Sequence, residues 1–153
     1  TFIWRYDMRI YVDMDNVLVD FRSALRKRGL AEDMPDADEL PGLFSEMDPI
    51  PGALEAYRKM VEDGHDVFIL STAPWGNPSA WSDKLTWVKT HLGDVAEKRL
   101  ILSHHKYLLR GDVLIDDRRK RGAGAFHGLH WHFGPEGEYP TWDAVLVELE
   151  RVT

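Results

Sequence analysis

The chain of 153 residues is 44% hydrophobic and holds six Trp and six Phe, enough for one substantial core and too little for a second independent one. Its 19 Lys and Arg stand against 26 Asp and Glu, a formal charge of −7 that argues against general affinity for a nucleic-acid backbone, so no nucleic-acid polymer is expected as a partner. Cysteine is absent, which excludes disulfides and thiolate metal sites and leaves the core to hold the fold.

No apolar stretch approaches the roughly 20 residues that span a bilayer, and Thr1 to Arg9 lack an apolar signal core. A soluble, unexported, cytoplasmic protein without a membrane partner is expected. Met8 directly precedes the first predicted strand, which makes it a candidate native start and Thr1 to Asp7 an appended leader; intact mass of the native protein tests this.

The first strand, Ile10 to Val12, delivers Asp13 and Asp15 into a tight turn. At a reference pKa of roughly 3.9 both acids ionise at neutral pH. Holding them together therefore costs free energy unless a cation or a shared proton compensates, and a divalent metal is the obvious candidate. Residues 29 to 49 are acidic, carry Pro35, Pro41 and Pro49, and offer a Leu43-Phe44 pair instead of a long apolar stripe. This segment reads as a small helical cap inserted after the first strand, at approximately residues 22–50. In an open α/β sheet it would overhang a site at the carboxyl ends of the strands.

Pro51 and Gly64 bracket a helix with Leu54, Tyr57, Met60 and Val61 on one face. The strand Val67 to Leu70 follows and ends in Ser71 and Thr72. Trp81, Leu85, Val88 and Leu92 then repeat at helical spacing, predict a core stripe, and stop at Gly93. A third strand, Leu100 to Leu102, precedes His104, His105 and Lys106, and a fourth, Val113 to Ile115, ends in Asp116 and Asp117. Leu129 to Phe133 alternates apolar and polar residues as an edge strand does, and Trp142, Val145, Leu146 and Leu149 form the last helix behind Thr141 as N-cap. Strands alternating with helices predict a single three-layer α/β/α Rossmann-like domain over residues 1–153, built on a parallel sheet.

Parallel strands bring their ends to one edge of the sheet, so four polar signals converge there: Asp13 with Asp15, Ser71 with Thr72, Lys106, and Asp116 with Asp117. Each type has work in phosphoryl transfer. One carboxylate can attack phosphorus, and a second can protonate the leaving alcohol and then activate water. A hard ion such as Mg2+ binds one or two carboxylates plus phosphate and water, while a lysine and hydroxyls neutralise and orient the phosphoryl oxygens. Lys84, on a helix, is expected at the surface or in a supporting place. The pairs His104-His105 and His130-His132 lie on different elements without matching ligands, which disfavours a transition-metal site. The run Arg118 to Arg121 is expected to be a solvated loop that helps draw in anions.

Asp13-Met14-Asp15-Asn16-Val17-Leu18-Val19-Asp20-Phe21 resembles the first motif of the haloacid dehalogenase (HAD) superfamily of phosphatases, specifically that of the 5'(3')-deoxyribonucleotidases. The likeness continues in family order through Pro49-Ile50-Pro51-Gly52-Ala53-Leu54-Glu55-Ala56, Val67 to Pro74, Lys84-Leu85-Thr86-Trp87-Val88 with His91-Leu92-Gly93, and Gly111 to Asp117. The resemblance implies a HAD-like fold, with Asp13 as nucleophile and Asp15 as acid and base. It further implies Ser71 and Thr72 as phosphate-binding hydroxyls, Lys106 as the third-motif lysine, and Phe21 against the nucleobase. Mg2+ would take a carboxylate oxygen of Asp13, the backbone carbonyl of Asp15, and Asp117 in preference to Asp116. Members often dimerise, which admits a homodimer. Asn16 replaces the usual Gly, and Asn tolerates a left-handed backbone better than most residues. The expected activity is Mg2+-dependent hydrolysis of a nucleotide, a (deoxy)ribonucleoside monophosphate, through an aspartyl-phosphate. A sugar phosphate, another small phosphomonoester, a nucleic-acid end phosphate, and a non-catalytic phosphate-binding module remain alternatives.

Overall fold

The computed structural model describes residues 7–118 and 125–153; Arg119 to Arg121 of the basic run lie outside them, as do residues 1–6. Along the chain run β1 (Arg9–Val12), β2 (Val19–Asp20), α1 (Phe21–Lys27), β3 (Asp48–Pro49), α2 (Ala53–Glu62), β4 (Asp66–Ser71), α3 (Pro78–His91), β5 (Leu100–Leu102), β6 (Val113–Asp116), β7 (Leu129–His132) and α4 (Trp142–Val152). Five strands form a parallel sheet in the order β5-β4-β1-β6-β7, with Val12 paired to both Ile69 and Ile115, and with β7 at the edge its alternation predicts.

The order reverses beside β1, which makes the carboxyl end of β1 a topological switch point. On one face Ile10, Val12, Val67, Ile69, Val113 and Ile115 pack with Tyr57 and Met60 of α2, Trp87 and Val88 of α3, and Trp142, Val145 and Leu149 of α4. On the other face Tyr11, Leu70 and Leu114 meet Phe126. Right-handed crossovers account for the asymmetry. The steps β1 to β4 to β5 place α2 and α3 on one face, and the return from β5 to β6 runs over the other. There the described residues supply the 3-10 turn Lys106–Leu108. No helix among the described residues is long and apolar enough to cross a membrane.

One expectation needs correction at α3, and a second, the surface or supporting place of Lys84, is narrowed to the supporting one. Of its predicted core stripe, Val88 and Leu92 are buried but Leu85 is 44% exposed. The inward side is instead Ala80, Lys84, Trp87 and Val88, so Lys84 is fully buried and not at the surface. The helix is rolled by about one residue, toward positions whose apolar content, a methyl group and a lysine stem, weighs little in a hydropathy pattern.

The segment predicted as a cap forms an antiparallel pair, β2 with β3, closed over α1 and two 3-10 turns at Ala37–Glu39 and Leu43–Ser45. Leu43, Phe44 and Met47 join the same core as the sheet. Backbone polar groups of the segment are satisfied from α3 and its cap: Trp87 Nε1 donates to Met47 O at 2.8 Å, and Asn77 Nδ2 donates to Asp38 O at 2.9 Å. The insertion is therefore tied to α3 by burial and by hydrogen bonds.

Candidate active site

β1 ends against β6, where Asp13 N donates to Ile115 O at 2.9 Å and the chain turns. Met14 O accepts from Val17, Leu18 and Val19, and Asn16 takes the left-handed conformation, φ +62°, that its side chain tolerates. This turn presents Asp13 and Asp15 side by side. Asp13 Oδ1 accepts from Met14 N at 2.9 Å and lies 3.1 Å from Lys106 Nζ, which donates to Asp116 Oδ2 at 2.6 Å. The other oxygen of Asp116, Oδ1, accepts from Arg118 N at 2.8 Å. Acids from both halves of the chain thus share one buried lysine.

Electrostatics follow from burial. Desolvation, then the charge of Asp13, pushes Asp116 and Asp117 above the usual carboxylate range, and Asp116 adds to the rise at Asp117. Burial opposes the charge of Lys106, but Asp13 and Asp116 outweigh it and hold the ammonium more firmly protonated than usual. Asp15 is also raised, chiefly by burial and further by Asp13, against the lowering effect of Lys84. Its Oδ1 is buried without a hydrogen-bond partner, while Lys84 Nζ lies 3.2 Å from Oδ2.

Asp13, Asp15, Thr72, Lys106, Asp116 and Asp117 line one cavity of about 50 Å³, together with Arg118. Two predicted residues fall elsewhere. Ser71 is fully buried off the cavity lining, and its Oγ accepts from Lys84 Nζ at 2.7 Å. Phe21, expected against a base, packs edge-on to Phe44, with ring centroids 5.7 Å apart, and against the core, because it opens α1 where the insertion folds back. Thr72 Oγ1 donates to Ser103 O at 2.9 Å, and the residue lines the cavity. Sequence reasoning missed the inward reach of Lys84. The signal was a charged residue in register with Ala80, Trp87 and Val88, at the spacing of one helix face.

Among the described residues, one group of at least three candidate metal ligands exists: Asp13, Asp116 and Asp117, each offering a carboxylate oxygen within 4.8 Å of the others. Three acids against Lys106, all hard oxygen donors, suit Mg2+. Among the described residues no histidine joins that group: His104 packs against Trp75 and Trp81, and His132 Nε2 lies 3.0 Å from the backbone carbonyl of Asp117.

Comparison with known proteins agrees with this geometry. The family model described as "5' nucleotidase, deoxy (Pyrimidine), cytosolic type C protein" matches residues 37–131. A protein of Vibrio phage KVP40, provisionally named a 5'(3')-deoxyribonucleotidase, is 50% identical over 92% of this chain and 83% of its own length. The human 5'(3')-deoxyribonucleotidase, cytosolic type, is 30% identical over 91% of this chain and 79% of its own. A solved HAD-family hydrolase from Deinococcus radiodurans R1, with bound phosphate and sodium, superposes with a TM-score of 0.58 at 17% identity, over 92% of this chain and 87% of its own, and so shares the fold. A HAD-like sheet with paired acids at its switch point, and relatives matched along nearly its whole length, place the chain in the 5'(3')-deoxyribonucleotidase family of phosphoric monoester hydrolases.

Proposed function

We propose that the protein is a Mg2+-dependent phosphatase that releases phosphate from a deoxyribonucleoside monophosphate through an aspartyl-phosphate on Asp13. The observation that carries the reading is the convergence of Asp13, Asp116 and Asp117 around Lys106, with Asp15 beside them. Asp13 attacks phosphorus opposite the ester oxygen. As that P–O bond breaks, Asp15 gives its proton to the leaving oxygen and the alcohol departs. Water then attacks phosphorus and yields a proton to Asp15, the Asp13–phosphorus bond breaks, and inorganic phosphate is freed. Burial favours the protonated Asp15 that the first step requires.

Lys106 holds phosphoryl oxygens in place, beside a cavity wall to which Thr72 contributes. Mg2+ held by a carboxylate oxygen of Asp13, the carbonyl of Asp15 and Asp117 would supply further charge neutralisation. Asp117 is favoured over Asp116 because Lys106 and Arg118 N already occupy both Asp116 oxygens. We read residues 22–50 as the cap of a single domain, and a cytoplasmic location as consistent with the cytosolic-type relative. The resemblance also admits a homodimer, which light scattering would test.

The test is phosphate release from a panel of deoxyribonucleoside monophosphates, ribonucleoside monophosphates, sugar phosphates and 5'-phosphorylated oligonucleotides, with Mg2+ and with a chelator. Mg2+-dependent turnover highest on the deoxynucleotides is expected. Preference for another ester would reassign the substrate, and no turnover with detectable nucleotide binding would favour the non-catalytic reading.

A further inference from the structure

We propose that His132 is a positioning residue for Asp117: its imidazole N–H holds the peptide that joins Asp117 to Arg118, and so aims the Asp117 carboxylate at Asp13. The inference rests on the magnesium phosphatase reading above and adds to it a residue that acts only through Asp117. Asp116 is fixed from several sides. Its carbonyl accepts from Phe133 N at 3.0 Å, and its carboxylate oxygens accept from Lys106 Nζ at 2.6 Å and from Arg118 N at 2.8 Å. Asp117 stands one residue beyond β6, past the pairing of β6 with β7, and faces two like charges that repel it. Its aim at them needs a separate restraint.

That restraint comes from the edge strand. Trp131 and Phe133 pack into the core, so alternation turns His132 to the opposite face, where it stands in register with Asp116. From there Nε2 lies 3.0 Å from Asp117 O, and because a carbonyl only accepts, Nε2 carries the hydrogen. This bond adds a side-chain rung one residue past the main-chain bond from Phe133 N to Asp116 O. The same peptide unit is held at its other end, where Arg118 N donates to Asp116 Oδ1. A peptide is planar, so pinning both its C=O and its N–H fixes the plane and with it the ψ angle of Asp117. The Asp117 carboxylate then keeps an oxygen within 4.8 Å of those of Asp13 and Asp116. His132 is itself held. Tyr139 N donates to His132 O at 3.1 Å, and a Cβ added at Gly137 would collide with that oxygen, so the turn after β7 closes tightly on this residue.

The experiment titrates Mg2+ by calorimetry into the unaltered chain, into His132→Leu, which lacks the donor, and into His132→Gln, whose amide reaches about as far as Nε2. Loss of an outer-shell partner predicts a Mg2+ Kd raised about tenfold or more in His132→Leu, and a return to within about threefold of the unaltered value in His132→Gln. Nucleotide turnover by His132→Leu should fall at limiting Mg2+ and recover at saturating Mg2+, a split that a general loss of structure would not give. An unchanged Kd in His132→Leu, or an equal loss in both variants, would overturn the proposal. Should His132→Leu fail to fold, His132→Asn, whose amide stops short of the carbonyl, takes its place in the contrast. If the unaltered protein binds no Mg2+, the magnesium reading falls by itself, and hydrogen exchange at Arg118 N in the metal-free proteins decides the positioning. Faster exchange in His132→Leu than in His132→Gln supports the rung, and equal exchange removes it.

Discussion

Two buried lysines serve the two aspartates that follow β1, and they differ in kind. Lys106 follows β5 and bridges Asp13 and Asp116, at 3.1 and 2.6 Å. Lys84 comes from the middle of α3, has no solvent exposure, and sits between Asp15 Oδ2 at 3.2 Å and Ser71 Oγ at 2.7 Å, with the Phe44 ring centroid 4.8 Å away. One lysine lies among three carboxylates and supplies charge where phosphate would bind. The other lies against an acid that is pushed toward protonation by its burial, and restrains that push.

The largest effect tests the nucleophile that Lys106 accompanies. Asp13→Asn keeps the side-chain volume and the bond from Met14 N, so the fold should persist by circular dichroism while phosphate release drops to the buffer blank. Normal turnover in that variant would end the assignment.

Replacing each lysine by Met sharpens the contrast. Lys106→Met should lower kcat/KM by about 10²-fold or more, since it removes a preorganised charge at the phosphoryl oxygens. Lys84→Met should lower it less but move the pH profile. Activity falls as pH rises through the pKa of the protonated acid, and Lys84 lowers that pKa, so its removal should carry the basic limb to higher pH. A basic limb that stays in place, or moves down, would detach Lys84 from Asp15.

How much of this was legible follows from what each position depends on. The five strands and the acids at their ends could be read because parallel strands buried on both faces give continuous apolar runs, and strand ends share one edge whatever the packing details. Thr141 was legible as an N-cap because capping is local, and its Oγ1 does accept from Ala144 N at 3.3 Å. Lys84, Phe21 and Ser71 were not, because their roles depend on how far α3 rolls and how the insertion folds back.

A smaller effect concerns the acids that Lys106 leaves uncompensated. The folded-state pKa of Asp117 is raised above its unfolded value by burial and then by Asp13 and Asp116, so the unfolded chain loses its proton first. Stability of the metal-free protein should therefore fall as pH climbs from the ordinary carboxylate range toward neutrality, and Asp117→Asn should lessen the slope. Mg2+ at about 100 times its Kd should add about 2.7 kcal/mol. At this chain length that is roughly 5–10 °C in Tm. Asp117→Asn should lose most of that shift, whereas an equal Mg2+ shift in the variant would remove Asp117 from the ligands.

A stability contrast between two leucines isolates the roll of α3 from its chemistry. Leu92 is 4% exposed and Leu85 is 44% exposed, although both belong to one apolar spacing. Leu92→Ala should cost about 2–5 kcal/mol in urea or thermal unfolding, as buried Leu truncations do. Leu85→Ala should cost about 1 kcal/mol or less, because much of its side chain already meets water. The same roll that turns Leu85 outward carries Lys84 inward to Asp15, so the two stability values report on the site without any activity measurement. Equal losses would mean that α3 presents Leu85 to the core, and a helix so turned would draw Lys84 away from Asp15 and Ser71.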